Sequence, residues 1–264
     1  IEYNLETMHL EITKERSDDL CRQIDEILND RHLTSGEAGK LKGKLLFASS
    51  VLWGKVGRAF MLALSERQYN KEKRTALNQP IKLALQQWKK LINTAPKRPL
   101  ELDMSPDVDW VIFTDGWHPE PGKDEGELPQ IGMVAFQKGG ESPPLFISEE
   151  VPQDVMDKWI VRKNQIAMVE LFAPVVTFEA MGTSLKGKKV LLFVDSEPVE
   201  GALVKGYSCR EDMTELTGGF WDLVTEQGAI VYICRVPTDS NPGDLPTRKE
   251  KFHRFSHLGW KRMH

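Results

Sequence analysis

Residues 189–195 read "KVLLFVD": five apolar residues in succession, closed by an aspartate. A strand that is apolar on both faces must be covered on both, so it belongs inside a sheet flanked by helices. A second run of this kind, "AIVYICRV" (229–236), comes later. The stretches between them, "SEPVEGALVKG" and "REDMTELTGGFWDLVTEQG", carry helical spacing. Strands separated by helices pair in parallel. Upstream, "VDWVIFTD", "QIGMVAFQKGG" and "PPLFISEEVP" read as three strands of an antiparallel meander, the first ending at Asp115. "GWHPEPGKDEGELP" is a long polar loop, and "RKNQIAMVELFAPVVTFEAM" reads as a helix despite Pro174. The order β-β-β-α-β-α-α-β-α predicts an α/β unit with a mixed five-stranded sheet, antiparallel on one side and parallel on the other, flanked by helices.

The first 95 residues read differently, as an α-helical domain. "SDDLCRQIDEILND" lines up Leu20, Ile24, Ile27 and Leu28, with Ser17 as a candidate N-cap. "LTSGEAGKLKGKLLFASSVLWGKVGRAFMLALSERQ" forms a second helical region, whose glycines suit close packing or close approach to a ligand. "QPIKLALQQWKKLIN" forms a third, with Ile81, Leu85, Trp88 and Leu91 in a stripe. The proline-rich "TAPKRPLELDMSP" has no period. The expected division is a helical segment over 1–95, a linker over 96–106 and the α/β domain over 107–264.

The net charge of −4 conceals an asymmetry. Residues 1–100 hold 18 Lys and Arg against 12 Asp and Glu, a net of +6, which leaves 35 − 18 = 17 against 39 − 12 = 27 for residues 101–264, a net of −10. A basic segment beside an acidic domain points to a polyanion partner for the first and a cation for the second. Lys40, Lys42, Lys44, Lys55 and Arg58 are the candidate phosphate contacts. Cys21, Cys209 and Cys234 are widely spaced, without metal-ligand pattern, and suit a reducing, intracellular compartment. No apolar run is expected to reach a membrane span, and no secretory pattern opens the chain.

The acidic domain places carboxylates where ligands gather. Asp115 and Asp195 end strands. Glu170 sits mid-helix among apolar residues in "AMVELFA", and Asp244 opens the last helix in "VPTDSNPGDLPTR". Four carboxylates brought to one sheet edge repel one another unless a cation neutralises them. Hard oxygen donors suit Mg²⁺ or Mn²⁺, and a pair of such ions serves phosphodiester hydrolysis.

The ordered set "FTDG … VELFA … LLFVDS … VPTDSNPGDLPTR" resembles the ribonuclease H domain of retroelement reverse transcriptases, DIRS-type and related, over about residues 107–250. "LTSGEAGKLKGKLLFASS … GRAF" is more faintly similar to the helical thumb or connection region that precedes it. The resemblance implies a ribonuclease H-like fold, with Asp115, Glu170, Asp195 and Asp244 as catalytic and metal-binding residues. It also implies two Mg²⁺ or Mn²⁺ ions and hydrolysis of RNA in RNA–DNA hybrids. Further contacts to nucleic acid fall to Gln165, Asn241 and Arg248, and polymerase domains would lie upstream. The chain departs from the family pattern at Trp117, where a small residue is usual, at Ala167 and Ser196, where Asn is frequent, and in having no His before Asp244. A binding module without turnover, or an integrase or exonuclease on the same fold, are the rival readings.

Other signals are weaker. "SDDL" lacks the aromatic and strands of a polymerase site, and "GEAGKLKGK" lacks the first Gly and the Ser/Thr of a phosphate loop. His253 and His257 have no third ligand at a zinc spacing.

Overall fold

The computed structural model describes residues 1–52, 55–69, 75–94, 97–100, 107–120, 124, 126–140, 142–248 and 257–263. The chain divides into two compact units, Ile1–Ser105 and Pro106–His264.

The first unit is helical with a small sheet that the sequence reading did not foresee. Strands β1 (Glu2–Asn4) and β2 (His9–Glu11) pair antiparallel, Tyr3 opposite Leu10. Three-residue strands are too short to show a period of two. Helix α1 (Lys14–Asp30) starts earlier than expected, because the hydroxyl of Thr13, not Ser17, accepts the Arg16 amide. The second helical region is divided into α2 (Ser35–Ser49) and α3 (Met61–Tyr69). A capping box between Thr34 and Glu37 fixes the start of α2, so "GEAGKLKGK" is a helix and not a phosphate loop. Helix α4 (Gln79–Thr94) buries Ile81, Leu85 and Trp88 as its stripe required. Strand β3 (Arg98–Pro99) then pairs with β2. The stretch expected as linker therefore contributes its residues 98–99 to the first unit, while 96 and 101–106 lie outside the described residues. Of the glycines expected to pack closely, Gly39 faces Gln68 and Gly57 faces Trp88, Gly36 and Gly43 face open space, and Gly54 lies outside the described residues.

The second unit is a mixed α/β fold. Strands β4 (Trp110–Trp117), β5 (Gln130–Gln137) and β6 (Leu145–Glu150) form the antiparallel meander. A one-turn helix α5 (Gln153–Met156) and the long α6 (Ile166–Met181) follow. Strand β7 (Lys189–Val194) runs parallel to β4, and after α7 (Glu197–Lys205) and α8 (Glu211–Gln227), β8 (Ile230–Arg235) runs parallel to β7. The short α9 (Asp244–Thr247) leads towards β9 (Lys261–Arg262), which pairs in parallel with β6. The described strands thus form a six-stranded sheet, β8-β7-β4-β5-β6-β9, where five were expected. The extra strand is two residues long. It is held beside the sheet by Trp260, which meets Phe136 edge to face at 5.9 Å.

Helix α6 packs on β4, β5 and α8, and α9 on β4, β5 and β6. With the short turn after it, α6 spans Ile166–Leu185 and is long and apolar enough to cross a membrane, contrary to the sequence expectation. Here it is a core helix, burying Val169, Leu171 and Phe178. Pro174 lies inside it, and the amide it lacks is the one that would bond the carbonyl of Glu170.

Two glycines let these elements touch the sheet. A Cβ at Gly116 would lie 2.6 Å from the backbone nitrogen of Glu170, and one at Gly132 would run into the carbonyl of Gly243. We expect Gly116→Ala to push α6 off β4 and to destabilise the unit by about 1–3 kcal/mol, as overpacking does. A denaturation midpoint equal to the parent's would contradict that close approach.

Candidate active site

Strand β4 does not end at Asp115, as the sequence suggested, but runs on to Trp117. Successive side chains on a strand face opposite sides. Asp115 and Trp117 therefore lie on one face of β4, and the bare Cα of Gly116 on the other. Gly132 is the cross-strand partner of Asp115, so it shares the Asp115 face. Helix α6 covers the Gly116 side, and the segment 241–248 covers the Asp115 side.

The second of these contacts is built from the sequence "NPGDLPTR". Asn241 is only 5% exposed. Its Nδ2 donates to the carbonyl of Thr114 at 3.0 Å and its Oδ1 accepts the amide of Gly243 at 3.0 Å. The Thr247 hydroxyl donates to the carbonyl of Asp244 at 2.9 Å and reaches Oδ2 of Asp115 at 3.4 Å. Ser148 bonds the carbonyl of Pro246 at 2.6 Å. The segment that carries Asp244 is thus fastened to β4 and β6 by side chains it supplies or meets.

Asp195 follows β7 directly, and β4 and β7 pair in register at Phe113 and Phe193. Two residues beyond the last pair come Asp115 and Asp195, close enough for the charge of Asp195 to act on Asp115. Glu170 arrives from α6. Its carboxylate accepts a hydrogen bond from Ser196, which occupies the N-cap position of α7 without capping it. Burial pushes Asp115 from its ordinary 3.8 up to about 7, reinforced by the charges of Asp195, Asp244 and Glu170. Burial likewise raises Glu170 to about 7, partly offset by Ser196 and reinforced by Asp195. Asp195 is the one member that raises both. The other three carboxylates lie within electrostatic reach of Asp115, but the set is divided between two faces, Asp115 and Asp244 on the α9 side and Glu170 on the α6 side.

That donor set suits a hard divalent cation in its chemistry, being all oxygen and mutually repulsive. Among the described residues, no three His, Cys, Asp or Glu side chains are already gathered closely enough to hold a metal ion. Binding would have to draw the carboxylates inward.

The remaining sequence-derived residues fall into two groups. Arg248 bonds Asp244 through Nε at 3.1 Å and lies over the Trp117 ring at 5.9 Å. Gln165 is the N-cap residue of α6, and its Nε2 donates to the carbonyl of Ile160 at 3.0 Å. In the first unit, Lys40 is exposed, while Lys42 bonds Gln68 at 3.3 Å and lies over Tyr69. Lys44 is 3.9 Å from Asp19. Lys55 is held below its usual range by partial burial and by Arg58 and Arg98. Arg98 was not foreseen, because it comes within electrostatic reach of Lys55 only through the pairing of β3. Thr247 and the pair Arg162–Asp212 also escaped the sequence reading, in which Ser196 stands only as a departure from the family pattern. Arg162 grips Asp212 with two bonds of 2.6 Å, and Asp212 also accepts the Ile160 amide. This fork, which holds Asp212 below its usual range, fixes the chain entering α6. Its partners are 50 residues apart, so no local signal announces it.

No family model matches the chain, and no curated protein matches it significantly. Among solved structures, ribonuclease H1 from the archaeon Halobacterium salinarum NRC-1 is 15% identical, with a TM-score of 0.40, over 55% of this chain and 98% of that one. LC11-RNase H1, isolated from compost by a metagenomic approach and solved with an RNA/DNA hybrid, is 17% identical, with a TM-score of 0.34, over 50% and 88%. The protease-reverse transcriptase of prototype foamy virus is 12% identical, with a TM-score of 0.36, over 71% of this chain and 29% of that one.

The raised carboxyls have a thermodynamic consequence. The folded state of Asp115 and Glu170 keeps protons that the unfolded chain, with ordinary values of 3.8 and 4.5, has already released. Stability from these groups is therefore complete at acid pH and is lost as pH rises through about 7. In chelator, Asp115→Asn should gain on the parent between pH 5 and 8, by several degrees in Tm, given that 1 kcal/mol is worth about 2–4 °C at this size. Parallel melting curves for the two proteins would contradict the burial of a charged Asp115.

Proposed function

We propose that the second unit is a divalent-metal-dependent nuclease that hydrolyses the RNA strand of RNA–DNA hybrids, as part of a retroelement reverse transcriptase. The observation that carries this reading is a buried strand carboxylate, Asp115, within electrostatic reach of Asp195, Asp244 and Glu170 just beyond the point where the parallel pairing of β4 and β7 ends. Asp195 would hold the cations from the centre, Asp115 and Asp244 from one side and Glu170 from the other. Divalent cations, when bound, supply the positive charge that neutralises these carboxylates and the substrate phosphate. The rigid sheet and the two glycine contacts fix the backbone that carries the carboxylates, so that cations would have only side chains to draw inward. Without cations, Asp115 and Glu170 can each take up or release a proton near neutral pH. Water adds to phosphorus, the P–O3′ bond breaks, and a 3′-hydroxyl and a 5′-phosphate result. Selection of a hybrid would rest on groove shape and the 2′-hydroxyl rather than base sequence. The first unit would add backbone contacts, with Lys55, Arg58 and Arg98 as cations that lie within electrostatic reach of one another.

A second reading, a nucleic-acid-binding module without turnover, is favoured by one feature, the pairing of Asp244 with Arg248. The two readings part on Asp195→Asn. We expect the parent to cleave the RNA of a labelled hybrid in Mg²⁺ or Mn²⁺. Asp195→Asn should stay folded, bind the hybrid and lose at least the ~100-fold in rate that removing one preorganised stabilising group costs. Cleavage undiminished in the variant would defeat the assignment, and no cleavage by the parent with either metal would favour the binding module.

A further inference from the structure

Arg248 stands in an unusual position for a residue expected to contact nucleic acid. Its Nε donates to Asp244 Oδ1 at 3.1 Å, and its guanidinium carbon lies 5.9 Å from the centre of the Trp117 ring. The spacing of four on a helical turn brings it back over Asp244. The strand alternation brings Trp117 to the same face as Asp115. The three side chains therefore form a stack at the mouth of the carboxylate cluster: indole, guanidinium, carboxylate. The guanidinium side of the pair is 38% exposed and the carboxylate side 24%, so Arg248 shields Asp244 while keeping an open edge to solvent. Trp117 is the bulky residue where the ribonuclease H resemblance has a small one, and its indole is the best of the aromatic faces for a cation.

We propose that Arg248 is the site's internal counter-cation: it neutralises Asp244 in the cation-free protein, Trp117 holds it there, and a divalent cation must displace it, freeing the guanidinium for a phosphate of the bound strand. The inference rests on the proposed function, since it takes Asp244 as a metal ligand. Its physical basis is competition. A carboxylate already paired is available to a divalent cation only in the fraction of molecules in which the pair is open, and apparent affinity falls by that fraction. Once displaced, the planar fork of Arg248 matches a phosphate as well as it matched the carboxylate. Trp117 is a positioning residue in this scheme and acts only through Arg248.

The test is Mn²⁺ binding by calorimetry, without nucleic acid, on the whole chain. The variants are Arg248→Gln, Trp117→Ala, Trp117→Phe, the double Trp117→Ala/Arg248→Gln, and Asp195→Asn. We expect Arg248→Gln to tighten Mn²⁺ by about fivefold and Trp117→Ala by about two- to threefold, the range of a partly exposed ion pair and of a surface cation–π contact. Trp117→Phe, which keeps a ring, should stay near the parent. The decisive outcome is the double variant, which should bind no more tightly than Arg248→Gln alone. An equal gain from Trp117→Ala with and without Arg248, or no gain in its presence, overturns the proposal while leaving a metal site in place. If neither the parent nor Arg248→Gln binds Mn²⁺ saturably, and Asp195→Asn behaves as they do, the metal reading itself falls. Melting temperatures of all variants establish that the comparison is between folded proteins.

Discussion

Everything at the site depends on two places where a strand carries no side chain. Without a Cβ at Gly116, the backbone of α6 at Val169 and Glu170 rests directly on β4. Without one at Gly132, the carbonyl of Gly243 and the side chains of Pro246 and Thr247 rest directly on β5. The strand residue between these contacts in space is Asp115, which is consequently 7% exposed. Burial of a carboxylate in that position is what raises its affinity for a proton, and it is what gives a cation something to neutralise. A methyl group at either glycine would open the sandwich and return Asp115 towards solvent.

The same geometry accounts for the division of the carboxylates between two faces. The pleat sends Asp115 and Trp117 towards α9 and leaves α6 to cover the opposite side. Glu170 therefore meets Asp195 more strongly than it meets Asp115. Ser196 satisfies part of Glu170, Thr247 part of Asp115, and Arg248 part of Asp244. Three of the four carboxylates thus have a partial partner within the chain. The resulting cluster is poised but not collapsed, and Asp195 is the member whose charge acts on both Asp115 and Glu170.

Much of this was legible in the sequence because the strands are. "KVLLFVD" reads as a core strand, of which Val190, Leu192 and Val194 are buried, and a core strand followed by Asp places that carboxylate at a sheet edge. Glu170 was visible as a charge on an otherwise apolar helix, and Asp244 as an acid following Asn, Pro and Gly. The mixed sheet followed from the alternation of hairpins and helices. What stayed hidden depends on contacts distant in sequence or too short to show a period. Strands β1, β2, β3 and β9 have two or three residues each. Asn241, read as a nucleic-acid contact, also ties the 241–248 segment to Thr114, 127 residues earlier. The Arg162–Asp212 fork spans two elements that share no local pattern. Trp117 was legible as a departure, but its pairing with Arg248 was not, because nothing in "FTDGW" shows that the strand runs on past Asp115.

The central claim is that Asp115, Asp195, Glu170 and Asp244 form one cation-binding centre. Crystals of the chain soaked in Mn²⁺, with anomalous scattering recorded at the manganese edge, test it most directly. The account predicts anomalous density within ligating distance of Asp195 and Asp115, with Glu170 or Asp244 drawn inward. Full occupancy elsewhere on the molecule, with these four carboxylates bare and unmoved, would contradict it.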